Sequence, residues 1–236
     1  LDLCRNVGAR HAGALLQPGQ LVANLRLAPR VQSAAVVHIT HYDSGAVTIE
    51  TAFGSQSVFE MPAGSFTLRW VTPDLFRTVG VRPMSGTDFP QDDAVSAVIV
   101  DSIAATQIWR GANPVGRMIR LGGLRSDRPF VRVVGVVPHL RWDVGQYGDA
   151  VPELQVYYVG RTLGSLPSVM WWGMAVVRVG NSAADVAGVR SHLSGQPAYR
   201  VTEAWADFVG LNRLTASHDL LATVFGLLCA QASACE

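Results

Sequence analysis

Residues that could do chemistry are sparse in this chain, and their spacing speaks against most of them. His38-x-x-His41 followed by Asp43 has the residue types of a metal site. On a strand, residues three apart point to opposite faces, so two such ligands could converge only through a turn at Tyr42. The pattern reads as a solvated strand end. The remaining histidines show no zinc-type spacing. Asp88, Asp92 and Asp93 form an acidic loop, but a calcium loop needs more oxygens at alternating positions around a glycine pivot. A pair of carboxylates for hydrolysis needs a cleft and one raised pKa, which no pattern here points to. Gly80, Gly86, Gly116, Gly122 and Gly123 do not form a phosphate loop: G-x-x-x-x-G-K-[ST] is absent and the chain contains no lysine. There is no G-x-S-x-G elbow. Gly64-Ser65 and Asp101-Ser102 read as turn or cap residues. Tyr157-Tyr158 and Trp171-Trp172 sit on strand patterns, where one ring of each pair points inward and the other covers an edge. Exposed rings would serve protein contact. The expectation is therefore no catalytic residue, no cofactor and no metal ligand.

The bulk properties narrow the class further. The chain has 236 residues, 49% hydrophobic and 16% charged, with mean hydropathy +0.23. No run of eighteen apolar residues is present, so no complete membrane helix is expected. A net charge of +1 gives no electrostatic case for nucleic acid. All nineteen basic residues are arginine. They look scattered along the chain, as a GC-rich genome would leave them, rather than gathered into an anion site. Cys4, Cys229 and Cys235 lie at the two ends and form no disulfide framework. Leu1 does not begin a signal peptide; with no initiator Met, a fragment of a longer protein is the expectation.

Periodicity supplies the elements. Residues 1–28 read as helix, broken at Gln17-Pro18-Gly19 and resumed by Leu21, Val22, Leu25 and Leu27. Strands follow at 31–40, 46–53 and 58–61, and residues 66–71 lead into the central stretch. Thr72 can cap a short helix with Pro73 at its first position, and Gly80 stops it. A strand at 97–100 leads into a helix through Trp109. Gly111, Asn113-Pro114 and Gly116 break that helix, and strands follow at 117–121 and 130–137. Residues 141–149 read as loop, 154–159 and 171–179 as strands, and 183–193 as a helix capped by Asn181-Ser182. A short strand at 199–202 precedes a helix from Ala204 that continues through Leu228.

The order from Val71 to Val137 resembles the MacB-like periplasmic core domain of FtsX-type ABC transporter permeases. The residues that carry it are Val71-Thr72-Pro73-Asp74-Leu75-Phe76, Gly80-Val81, Gly86-Thr87-Asp88-Phe89 and Asp92-Asp93. They continue with Ala97-Val98-Ile99-Val100, Ala104, Trp109, Asn113-Pro114-Val115-Gly116-Arg117 and Val133-Val134-Gly135-Val136-Val137. This chain departs from the family pattern in three places. Thr87 stands where Arg is usual, Asp101 where Asn is frequent, and Pro138-His139-Leu140-Arg141 where an acidic residue and Arg are usual.

The resemblance implies an α+β fold in which both chain ends form a porter-like αβ subdomain and a β-rich Sabre-like subdomain is inserted. Its boundaries place residues 1–42 and 166–214 in the porter-like part with an N-terminal stalk, and 43–165 in the insert. Residues 215–236 would begin a truncated C-terminal stalk or transmembrane helix. It also implies a non-catalytic extracytoplasmic domain in the bacterial inner membrane's permease, passing ATP-driven motion to substrate or partner proteins, with efflux as one role. The ATPase would be a separate cytoplasmic domain or protein. Partners would be that ATPase through the transmembrane part, a periplasmic adaptor or substrate protein, the membrane through flanking spans, and a second copy in a homodimer. Nucleic acid is not among them. The alternative is a free-standing α+β ligand-binding or enzyme domain. The apolar run at 220–229 favours the permease, because a soluble enzyme has no evident use for such a helix.

Overall fold

The structure is a computed structural model. It describes residues 18–42, 45–50, 56–61, 66–92, 95–140, 154–159, 172–179, 183–194, 200–206 and 222–229. Its helices are α1 (Pro18–Arg26), α2 (Leu75–Val79), α3 (Ser102–Trp109) and α4 (Ala183–Ser194). The strands of the first half are β1 (Ser33–Tyr42), β2 (Gly45–Glu50), β3 (Gln56–Met61), β4 (Phe66–Val71), β5 (Ser85–Gly86) and β6 (Ala97–Asp101). Then come β7 (Met118–Leu121), β8 (Val131–Val137), β9 (Leu154–Val159), β10 (Trp172–Val179), β11 (Arg200–Ala206) and β12 (Ala222–Cys229). All belong to one mixed sheet in the order β11-β12-β10-β1-β4-β9-β6-β8-β7-β2-β3, with β5 added on β8. The α+β class expected from the sequence is what the chain adopts.

Strands from the two ends of the chain, β10 to β12 and β1, lie together on one side of the β1–β4 pairing. The strands between residues 45 and 159 lie on the other. β1 pairs antiparallel with β10 from Ser33↔Arg178 to His38↔Gly173, although the strands are far apart in sequence. α1 and α4 cover this half from one face. Leu21, Val22, Leu25 and Ala28 join Val189, Leu193, Ala34, Val36, Ala175 and Val177 in one apolar cluster. Two helices share that cluster because neither stripe could bury itself on a two-stranded ribbon. Pro18 sits in the first turn of α1, where its missing N–H is harmless, so the Pro18-Gly19 break marks a start. Leu27, expected on the stripe, is exposed, and Ala28 takes the buried place.

The inserted half cannot be flat. Only residues 43–44 separate β1 from β2, a span of at most roughly 11 Å. In the sheet, β2 lies six strand spacings from β1, roughly 29 Å if flat. The sheet therefore curls until β2 meets β7, through Val47↔Leu121, Thr48↔Arg120 and Ile49↔Ile119. The concave face holds α3: Ala104, Ala105, Ile108 and Trp109 pack with Val47, Leu68, Val98, Val133, Val156 and Tyr158. The convex face packs α2. β9, between β4 and β6, is buried along its whole length. Tyr157 and Tyr158 are therefore both core residues on opposite faces, and the edge-covering role expected for one of them does not hold.

The structure corrects the sequence reading at the C-terminal end. Residues 222–229 were expected as helix; they form β12, antiparallel to both β10 (Trp172↔Cys229 to Val179↔Ala222) and β11. β11 also runs through Ala206, into residues expected to start that helix. A run of eight largely apolar residues fits a strand paired on both sides as well as it fits a helix. The run therefore does not require the helix expected of it. The paths of the two chain ends fall on residues 1–17, 207–221 and 230–236, outside those described.

Candidate functional site

α2 is the element that ties the two halves together. β4 ends at Val71, and Thr72 keeps one more rung with β1: its N–H donates to the Val36 carbonyl at 3.0 Å. Its hydroxyl accepts the Val36 N–H at 2.9 Å. Thr72 was expected as the helix cap; it serves β1 instead, and Asp74 is the N-cap residue. Asp74 makes no capping bond with its side chain because its carboxylate is engaged by two arginines. Arg26, at the end of α1, forms an ion pair with Oδ2, and Arg77 reaches Oδ1 at 2.5 Å. At the other end Gly80 takes the left-handed conformation (φ 77°) and the Val81 N–H bonds the Phe76 carbonyl, the glycine stop expected. Arg178 of β10 then donates from Nε to the Thr78 carbonyl at 3.0 Å, a cation at a helix C-terminus as the dipole favours.

The apolar side of α2 completes the joint. Leu75, Phe76 and Val79 pack in one cluster with Ala35, Val37 and Val176 from the chain-end half and Val71, Ala97, Ile99 and Tyr157 from the insert. Phe76 stacks on Phe89, centroids 5.7 Å apart, and meets Tyr157 edge-on at 4.9 Å. Asp88, beside Phe89, is half-buried. Burial pushes its carboxyl above the ordinary value and the nearby Asp74 charge adds to this, while the Phe89 N–H and Arg77 pull it back.

A second polar set fixes the segment after β8. Asp101 is fully buried and caps α3, its Oδ1 accepting the Ala104 N–H at 2.7 Å. Oδ2 of the same carboxylate meets Nδ1 of His139. Gln155 donates from Nε2 to the Leu140 carbonyl at 2.7 Å, and the Tyr157 hydroxyl donates to Gln155 Oε1 at 2.5 Å. Two of the three departures from the family pattern, at Asp101 and at 138–141, thus touch one another. Nothing in the sequence pairs residues 38 apart; only the β6–β8 register does.

His38 and His41 lie on β1, opposite Trp70 and Thr67; Asp43, Asp93, Gly64, Ser65 and Trp171 lie outside the described residues. Asp92 is exposed and Asp88 packs beside α2. Among the described residues, no three His, Cys, Asp or Glu are grouped to hold a metal. No helix of the described residues is long and apolar enough to cross a membrane. Sequence reasoning missed the α2 joint; the one signal for it was the Asp74-x-x-Arg77 spacing at i, i+3.

The family model for the MacB-like periplasmic core domain matches residues 10–196. The chain belongs to this family, the extracytoplasmic core of MacB/FtsX-like ABC transporter permeases. The periplasmic region of MacB from Actinobacillus actinomycetemcomitans is similar in fold: TM-score 0.53, 16% identity, over 76% of this chain and 72% of that one. The extracellular domain of the noncanonic ABC-type transporter YknZ from Gram-positive bacteria aligns over 92% of this chain and 91% of its own, with TM-score 0.48 and 14% identity. A domain of a putative permease protein from Porphyromonas gingivalis aligns with TM-score 0.47 and 17% identity, over 74% of this chain and 75% of that one. No curated protein matches the sequence.

Proposed function

We propose that this domain does no chemistry of its own and carries motion from an ATP-driven permease to substrate or partner proteins outside the cell membrane, with efflux as one use. The ATPase lies in a cytoplasmic protein or domain and acts through transmembrane spans flanking this sequence. Residues 1–42 and 166–214 form the half nearer the membrane and 43–165 the half that meets the partner. The domain stands on the outer side of the bacterial inner membrane.

The observation that carries this reading is the core beneath α2. A part that relays displacement must not absorb it, and here both halves share one sheet and one apolar cluster, clamped by Asp74 with Arg26 and by Arg178 on α2. The test uses spin labels in the intact permease, with Cys4, Cys229 and Cys235 changed to serine. Labels at Arg190→Cys on α4 and Arg125→Cys in the insert report the distance within the domain; a lipid-headgroup label reports displacement. ATP trapping is expected to move residue 125 relative to the membrane while the 125–190 distance holds. A domain that stays still on ATP trapping, or a 125–190 distance that absorbs the whole movement, overturns the reading.

A further inference from the structure

The β7–β8 hairpin gathers charge that reads as scattered along the sequence. Arg117, Arg120, Arg125, Arg128 and Arg132 fall within sixteen residues, with Asp127 the one acid among them, in a chain of net charge +1. The register Met118↔Arg132 sets Arg132 beside Met118, and Arg120, two residues on, shares that face. The Arg120 guanidinium lies 4.7 Å from the centroid of the Phe130 ring. It donates to the Leu124 carbonyl at 3.0 Å and to Gln56 Oε1 at 3.3 Å. Arg120 therefore braces the 122–130 connection against β7, and Ser126 adds a bond from its hydroxyl to the Leu121 carbonyl at 2.8 Å. Arg125, Arg128 and Arg132 are exposed; among the described residues none of the three forms an ion pair. Between them lie apolar groups: Leu124 is 58% exposed, and Met118 and Phe130 are half-buried.

We propose that this hairpin is a docking surface for the acidic, partly apolar face of a partner protein. The inference rests on the reading above that the insert meets a partner. Charge complementarity names the sign, since three exposed guanidinium groups with no carboxylate partner among the described residues offer two-pronged bonds to Asp and Glu side chains. Composition names the class. Arginine, methionine and phenylalanine are the residues that concentrate in protein interfaces, whereas a polyanion or a lipid surface would need only the charge. The bracing by Arg120 and Ser126 holds the connection in place beforehand, which lowers the ordering cost of binding.

The test measures fluorescence anisotropy of a labelled peptide in which Glu and Asp alternate with Leu and Phe, titrated with the whole chain over a range of salt. Polyglutamate of equal charge and vesicles of anionic phosphatidylglycerol are the comparison probes. Binding of the peptide is expected to weaken with salt. It should fall at least tenfold in Arg125→Glu/Arg132→Glu, and fall in Leu124→Ser, which leaves polyglutamate binding unchanged. Arg82→Glu/Arg190→Glu makes the same charge change at exposed sites elsewhere and should bind as the parent does. The proposal is overturned by any of three results: no peptide binding, an equal loss in the Arg82/Arg190 variant, or polyglutamate or vesicles bound as tightly as the peptide. Neither nucleotide nor transport enters the measurement. A silent hairpin therefore leaves the transmission reading standing, and a motionless domain leaves the docking surface standing.

Discussion

Gly86 and Gly135 stand opposite each other where β5 pairs with β8, and each is pressed against the other strand's backbone. A Cβ on Gly86 would lie 2.2 Å from the Val134 carbonyl oxygen, and one on Gly135 would lie 2.4 Å from that of Thr87. The approach arises from a bulge. β6 pairs Val98 with Val133 and Ile99 with Gly135, which leaves Val134 over, and its carbonyl accepts the Thr87 N–H. Backbone atoms cannot yield as a flexible side chain would. Gly135→Ala is expected to destabilise by about 1–3 kcal/mol, the range for overpacking. Gly86→Ala should cost more, because Gly86 also sits at φ 75°, which adds about 1 kcal/mol. Urea unfolding of both variants checks the order.

Asp74 makes a second prediction. Its side chain is 8% exposed, while Arg26 and Arg77 keep 44% and 64% of theirs in solvent. Asp74→Ala should therefore cost about 1–3 kcal/mol, and Arg26→Ala under about 1 kcal/mol, as solvent-screened pairs do. Hydrogen exchange should speed up in α2 before it does in α3. Equal protection of the two helices in Asp74→Ala would contradict the clamp.

Asp88 gives a dependence on pH. Its carboxyl is raised from its ordinary value, chiefly by burial, so the fold favours the protonated form. The stability this brings is fully present below the ordinary aspartate value and is lost as pH rises through the raised value. Asp88→Asn should flatten this part of the stability–pH curve and leave the variant more stable than the parent at neutral pH. An unchanged slope across the acidic range would count against it.

Asp101 both caps α3 and meets His139, and two substitutions separate the roles. Asp101→Asn keeps a capping oxygen, whereas Asp101→Ala loses the cap and should cost about 1–2 kcal/mol more. His139→Ala should fall between the parent and Asp101→Ala. Chemical unfolding of the three variants, followed by circular dichroism of the whole chain, ranks them.

Trypsin offers a fifth check. Arg125 lies in the exposed 122–130 connection, Arg128 is shielded by Pro129, and Arg132 has its backbone paired between β6 and β7. Early cleavage is expected after Arg125, with Arg132 spared. Rapid cutting after Arg132 would contradict the β8 pairing.

Much of this fold could be read along the chain because its signals are local. Gly80 stops α2, Asp101 precedes α3, and the run 97–100 reads as a strand by its neighbours alone. What could not be read depends on partners distant in sequence. The strand at 222–229 has no local mark that separates it from a helix; β10 and β11 decide. Tyr157 and Tyr158 look like one inner and one outer ring until β9 is seen to have cover on both faces. Thr72 looks like a cap until Val36 claims its hydroxyl. The arginines of 117–132 look scattered until the Met118↔Arg132 register gathers them, and Asp74 finds Arg26 only because α1 ends beside the start of α2.

The curl of the insert also bears on the order in which the chain can fold. β2 with β3 and β7 with β8 are neighbours close in sequence and can zip locally. The β2–β7 seam joins residues about seventy apart through three facing pairs, and closing so long a loop costs entropy before any contact repays it. The seam therefore closes after those local pairs, and the concave face that holds α3 is sealed only when it does.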